Sequence, residues 1–211
     1  MQYKIDNQVR GTRIITGDEA KDRRRVLNLM INIAETNNFN EIILPTIEPV
    51  EIYVNKAGNE IINQMYIFTD KKDRGICLRP EATATIQAIA DKHLNNSVEK
   101  RFWYFERCYR YERPQAGRYR EFYQFGLEII NPANNNYSED LIQIASEMIK
   151  IKTDDMQVNT LAKRGLDYYT DGKGFEISCS QLGAQKQVCG GGSYKQGIGF
   201  AIGFDRLMLC I

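Results

Sequence analysis

The sequence predicts an α+β fold, with a mixed or mostly antiparallel β-sheet and three main helices packed on it. Three observations carry that prediction. Apolar residues recur at three- and four-residue spacing in separate stretches of the chain. Two runs between Arg101 and Ile130 read as strands around a loop that holds Pro114 and Gly117. The last third is rich in glycine and β-type residues.

Taken in order, the first element is a helix from Asp18 to about Asn37. Val26, Leu27, Met30, Ile31 and Ala34 recur with helical spacing, and Thr16 and Asp18 are candidate caps. NEIILPTIEP reads as a short apolar strand that stops at Pro45, which has no N–H to give a ladder. QMYIFTDKKDRGICLRP reads as two short strands around a charged turn. A second helix starts at Glu81, just after Pro80, and runs to about His93. Arg101–Glu112 and Glu121–Ile130 read as two strands. Ser138–Lys150 reads as a third helix, with Ser138 as cap and Glu139 and Asp140 suiting the positive end of the helix dipole. RGLDYYTDGKGFEIS, QVCGGGSY and GIGFAIGF read as three further strand segments, and DRLMLCI opens a closing helix. NPANNNYS is a polar loop rather than a linker, so residues 1–211 are expected to form one domain.

Composition narrows the function. The chain has 211 residues, 43% hydrophobic and 26% charged, ordinary values for a globular protein with a sizeable core. Its formal net charge of +1 provides no global field to recruit nucleic acid, so any RNA binding must rest on a local patch. No run approaches the roughly 18 apolar residues of a membrane span. The opening MQYKIDNQVRG lacks the apolar core of a signal peptide, so a cytoplasmic protein is expected. The five cysteines (Cys77, Cys108, Cys179, Cys189, Cys210) form no CxxC pair and are expected as buried, reduced thiols. His93 is the sole histidine, which argues against a histidine-based triad or metal site; it is expected on a helix surface.

The chemistry concentrates in YFERCYRYERPQAGRYREFYQFGLEII, from Tyr104 to Ile130. Side chains alternate along a strand. One face of Glu121–Ile130 carries Tyr123, Phe125, Leu127 and Ile129 and suits a core. The other carries Phe122, Gln124, Gly126, Glu128 and Ile130: a polar floor, with a gap at Gly126 through which a ligand is expected to reach the backbone. On the preceding strand Tyr104, Glu106, Cys108, Arg110 and Glu112 share a face, and antiparallel pairing lets Arg110 project over that floor. Arg113, Arg118 and Arg120 add forked cations that match phosphate oxygens. Cations, an aromatic plate at Phe122 and carboxylates together point to a nucleotide site.

These residues resemble a known family. YRYERPQAGRYREFYQFGLE is similar to the second signature motif of class II aminoacyl-tRNA synthetases, in the form carried by histidyl-tRNA synthetases. LRPEATA (Leu78–Ala84) resembles that family's LRPEGTA element, and RGLDYYT (Arg164–Thr170), followed by Phe175 and Glu176, its histidine-binding signature. GIGFAIGFDRL (Gly197–Leu207) resembles the third class II motif. RGTR, at Arg10–Arg13, and the helix, strand and Pro45 that follow resemble the opening and the first, dimer-forming motif.

The resemblance implies a class II synthetase-type sheet flanked by helices, a homodimer, and a site for bent ATP beside histidine. Carried over by position, Arg110 would hold the α-phosphate and the histidine carboxylate, with Arg164 as the second catalytic cation. Glu112 and Arg118 would contact adenine and the outer phosphates, Phe122 would stack under adenine, and Arg206 would clamp the nucleotide from the other side. Glu81, Ala82, Thr83, Gln124 and Glu128 would hold histidine's ammonium and imidazole, and Tyr168, Tyr169 and Tyr194 would close its pocket. Mg2+ would bind through the ATP phosphates. The expected reaction makes histidyl-adenylate and passes the histidyl group to tRNA(His). The chain departs from the family's pattern in three ways. Only about residues 151–163 stand where the family carries a large insertion, and no anticodon-binding domain has a counterpart. GGRYDG reads GGGSYKQG, and GTRD reads GTRI at Ile14. The first two remove contacts on which tRNA affinity rests. Two other functions fit the same resemblance: a histidine-sensing regulatory subunit of histidine biosynthesis, and a histidine-activating enzyme with a non-tRNA acceptor.

Overall fold

The computed structural model describes residues 5–56, 59–94, 98–133, 137–163, 169–170, 173–183 and 185–210. In chain order its elements are helix α1 (Gly17–Thr36), strands β1 (Asn40–Glu41) and β2 (Ile47–Pro49), and helices α2 (Val50–Lys56) and α3 (Asn59–Ile62). Strands β3 (Tyr66–Thr69) and β4 (Gly75–Leu78), helix α4 (Thr83–His93), strands β5 (Lys100–Tyr109) and β6 (Glu121–Ile130) and helix α5 (Tyr137–Lys150) follow. Strands β7 (Gln157–Lys163), β8 (Lys173–Ser178), β9 (Gln187–Tyr194) and β10 (Gly197–Gly203) lead to helix α6 (Phe204–Leu207). Seven strands form one sheet in the order β1-β5-β6-β10-β9-β8-β7, antiparallel except for the β1–β5 pair. β2, β4 and β3 form a small antiparallel sheet of their own. This is the predicted α+β class, a mostly antiparallel sheet flanked by helices.

The alternation read in β6 decides what the sheet's two faces do. Phe125, Leu127 and Ile129 are buried with Met30 and Ala34 of α1, Leu141, Ala145 and Met148 of α5, and Phe200 and Ile202 of β10. Each such side chain contributes about 1.5–3 kcal/mol by leaving water. On the opposite face of β6 only Phe122 and Gln124 are left for the site, since Ile130 packs with Tyr104, Ile86 and Tyr194 in a second apolar cluster. All five cysteines are buried and free, and His93 is exposed in the last turn of α4. No described helix is long and apolar enough to cross a membrane.

Several elements differ from expectation for local reasons. The apolar strand before Pro45 shrinks to β1, because Leu44 N–H donates to Glu106 Oε1 (2.6 Å) and Pro45 C=O accepts from Arg79 Nη1 (2.6 Å) instead of joining a ladder. α2 and α3 occupy a stretch with no predicted element; Tyr53 and Ile61 anchor it beside Met65 and Cys77 in a separate apolar cluster. β5 ends at Tyr109 rather than Glu112, where Arg110 N–H meets Arg120 C=O (3.0 Å) and closes the neck of a loop. α5 begins at Tyr137, so Ser138 lies inside the first turn and is not the cap. β7 fills the expected link, exposed except at Ala162. The strand expected over Arg164–Ser178 is observed as β8; residues 164–168, 171 and 172 lie outside the described residues. The closing helix is the four-residue α6, and Ile211 also lies outside the described residues.

Candidate functional site

A cavity of about 450 Å³ opens on the face of β6, β9 and β10 turned away from α1 and α5. Three guanidinium groups from two distant parts of the sequence reach it: Arg110 and Arg118 from the β5–β6 loop, and Arg206 from α6. Phe122 and Gln124 of β6 form its floor, and Glu81 and Thr83 bring the start of α4 to its wall.

The β5–β6 loop is held in place from several sides. Arg120 N–H donates to Gly11 C=O (2.8 Å), and Gly11, at φ +87°, leaves no room for a Cβ against the Arg120 side chain. Arg118 N–H donates to Gln115 C=O (2.8 Å) across a turn whose Gly117 takes φ +75°. Arg206 fastens that turn to the third sequence motif by donating from Nε to Gly117 C=O (3.0 Å). Asp205, 3% exposed, fixes α6 itself: it accepts from Tyr123 N–H (2.6 Å) and Arg23 Nη2 (3.0 Å) and also pairs with Arg13. Arg13 in turn stacks at 3.6 Å on Tyr119. RGTR thus serves as a brace for the cavity wall.

The cations differ in setting. Arg110 donates from Nε to Pro80 C=O (2.9 Å), and its guanidinium stands 5.4 Å from the centre of the Phe122 ring. Arg118 pairs with Glu112 Oε2 at 3.2 Å. Burial, and secondarily the neighbouring charge of Arg118, lowers the pKa of Arg206, yet an arginine stays protonated throughout the physiological range. A cavity with three fixed cations and one aromatic plate suits a planar polyanion.

The other end of the cavity is acidic and dry. Glu81 accepts from the N–H groups of Thr83 (2.8 Å) and Ala84 (2.9 Å), capping α4; burial raises its pKa, while those bonds and Arg110 draw it down. Glu128 is fully buried behind the wall. It accepts from Thr83 Oγ1 and Tyr194 OH, both at 2.7 Å, and burial pushes its pKa up to about 8. A Cβ on Gly199 would run into its carboxylate. Tyr194 pairs through its backbone with Tyr169, which reaches the cavity.

Of the sequence-predicted residues, the structure brings Glu81, Thr83, Arg110, Glu112, Arg118, Phe122, Gln124, Tyr169 and Arg206 to one cavity. Ala82, Glu128 and Tyr194 are buried rather than on its surface. Arg164 and Tyr168 lie outside the described residues. One expectation is corrected: Gly126 opens no gap for a ligand. Tyr104 lies opposite it in the β5–β6 register, and the Tyr104 ring fills the space a Cβ would need. Sequence reasoning also missed Tyr119, Gln185, Gln187 and Asp205 on the cavity wall. Asp205 had a signal in its place beside Arg206; the glutamines lie in QLGAQKQ, which has no period or motif.

The family model for histidyl-tRNA synthetase matches residues 11–159. A histidine–tRNA ligase from Archaeoglobus fulgidus is 31% identical over 304 residues, covering 94% of this chain and 74% of the relative. That alignment is longer than this chain, so the relative carries internal residues with no counterpart here. A solved histidine–tRNA ligase subunit from Alicyclobacillus acidocaldarius superposes with a TM-score of 0.80 at 14% identity, covering 99% of this chain and 98% of that one. A structure described as an ATP phosphoribosyltransferase regulatory subunit/histidyl-tRNA synthetase, from Bacillus halodurans, gives a TM-score of 0.77 at 17% identity, covering 99% and 83%. At these identities the two structures speak for the fold.

Proposed function

Because the chain belongs to the histidyl-tRNA synthetase family, we propose that its cavity binds ATP and histidine, joins them as histidyl-adenylate and passes the histidyl group to tRNA. The observation that carries this reading is the meeting of Arg110, Arg118 and Arg206 with Glu81, Thr83 and Gln124 in one cavity. Residues 1–211 are read as a single catalytic domain. Exposed Ile43 and Ile47, in the segment after α1 that resembles the dimer-forming motif, favour a homodimer, and a cytoplasmic setting is part of this reading.

In this reading the histidine carboxylate attacks the α-phosphorus, a new P–O bond forms, and the bond to the bridging oxygen breaks to release pyrophosphate. Two anions must approach, and negative charge grows on the phosphoryl oxygens. Arg110, together with Arg164, offsets both, by position and electrostatics rather than proton transfer. Phe122 stacks under adenine and Arg206 clamps it from above. Arg118 and Glu112 contact the outer phosphates and adenine. Glu81, Thr83 and Gln124 receive the ammonium, and the imidazole lies beside Tyr169 against the wall that Glu128 and Tyr194 back from behind. Mg2+, a hard cation, would be held through the ATP phosphates, where it would supply further neutralisation. The residues fit that mode: Glu81 and Glu112, the glutamates on the wall, are already engaged by helix N–H groups and by Arg118.

ATP–pyrophosphate exchange with each amino acid in turn tests the proposal. Exchange that depends on histidine and falls by two to three orders of magnitude in Arg164→Ala, the effect of about 3–4 kcal/mol for one lost donor, supports it. Exchange with another amino acid alone overturns the specificity. A second reading is a regulatory subunit that senses histidine, favoured by the likeness to the Bacillus halodurans protein and by Ser193 and Lys195 standing where the family motif has Arg and Asp. Histidine binding without any exchange selects that reading. Exchange without transfer to tRNA selects a different acceptor.

A further inference from the structure

The loop between β8 and β9 brings Gln185 to the cavity wall. Its side-chain carbonyl oxygen accepts from Arg118 Nε and, at 2.6 Å, from Arg206 Nη2. Both guanidinium groups therefore converge on one neutral oxygen. Each has further anchors: Glu112 Oε2 for Arg118 at 3.2 Å, and Gly117 C=O (3.0 Å) and Gln187 C=O (2.9 Å) for Arg206. The result is a ring of bonds that ties the β5–β6 loop, the β8–β9 loop and α6 together around the cavity mouth.

Two like charges held this close repel each other, more strongly as water is removed. That repulsion helps lower the pKa of Arg206. An amide oxygen is suited to such a place. It satisfies one N–H from each arginine without cancelling either charge, whereas a carboxylate would neutralise them and compete with an arriving anion. We infer that Gln185 is a positioning residue: it sets the separation of Arg118 and Arg206 and keeps both cations available to the nucleotide. Donors fixed before the substrate arrives need no rearrangement as charge develops. The inference rests on the reading of the cavity as an ATP site and adds to it a residue that acts through the two arginines.

The test uses the whole chain with Gln185→Ala and Gln185→Glu, measuring KM for ATP, KM for histidine and kcat in pyrophosphate exchange, ATP affinity by calorimetry, and Tm. In Gln185→Ala, KM for ATP is expected to rise about ten-fold, the loss of roughly one hydrogen bond to a charged group, with KM for histidine within about two-fold. Gln185→Glu keeps both hydrogen bonds and is expected to melt at or above the wild-type temperature. Its KM for ATP should nevertheless rise further than that of the alanine variant. A merely structural bridge gives the reverse order, with glutamate close to wild type, and that result overturns the inference even if the alanine variant fails to fold. Wild-type protein that binds no ATP overturns the nucleotide reading itself and this role with it. Wild type that binds ATP beside a Gln185→Glu variant of equal affinity overturns the positioning role alone.

Discussion

Glu128→Gln tests the electrostatics of the acidic end of the cavity. The carboxyl is fully buried, and the groups that hold it are hydroxyls, Thr83 Oγ1 and Tyr194 OH, each 2.7 Å away. Burial is the largest cause of its raised pKa, about 8 against an ordinary 4.5; the two hydroxyls oppose the shift and the charge of Glu81 adds to it. Between those two values the folded protein keeps a proton that the unfolded chain has lost. Stability therefore falls as pH rises, by about 1.4 kcal/mol per pH unit from this one group. Below pH 4.5 both states are neutral and the contribution is fully present. Above pH 8 it is gone, at a penalty on the order of 5 kcal/mol. Glutamine has the shape of the neutral acid and cannot ionise. The variant should match wild type within about 1 kcal/mol at pH 5 and exceed it by on the order of 4 kcal/mol at pH 9. Urea unfolding of both proteins at pH 5, 7 and 9, with m-values compared, reads this directly. Two stability curves that run parallel across the range refute the reasoning, because the difference must grow with pH if the buried charge is its source.

Other substitutions test the frame. Asp205→Ala leaves Arg23 and Tyr123 N–H without their acceptor in a buried place. It should lose about 3–5 kcal/mol of unfolding free energy by denaturant titration; a loss under 1 kcal/mol removes Asp205 as the pin of α6. Gly126→Ala drives a methyl into the buried Tyr104 ring and should lose about 1–3 kcal/mol. Adding Tyr104→Ala should make the double variant more stable than the two single losses sum to; strict additivity contradicts the proposed fit of ring to glycine.

How much of this was legible in the sequence depends on the length scale of each signal. The core face of β6 and the buried stripe of α1 follow from periods of two and of three to four residues, and the structure keeps both. α2 was not legible, because VEIYVNK is short and rich in β-type residues and is held by Tyr53 packing in its own cluster. β7 was not legible because its QVNTLAK is exposed on both faces save Ala162, which leaves no alternation to read. Alternation placed Gly126 on the correct face of β6 but not its depth. What covers it is set by register with another strand, Tyr104 opposite Gly126. The same limit applies to Gln185, whose meaning comes from Arg118 and Arg206 arriving from elsewhere in the chain. The arginines and Phe122 were legible because the loop motif packs unusual chemistry into a short span.

A crystal structure with ATP and a histidine analogue lacking the carboxylate tests the central claim most directly, since that pair binds without reacting. The account predicts adenine between Phe122 and Arg206, the α-phosphate on Arg110, the outer phosphates near Arg118, and the imidazole beside Tyr169 at the wall backed by Glu128 and Tyr194. A nucleotide bound away from these arginines, or an analogue seated without contact to Glu81 or Gln124, contradicts it.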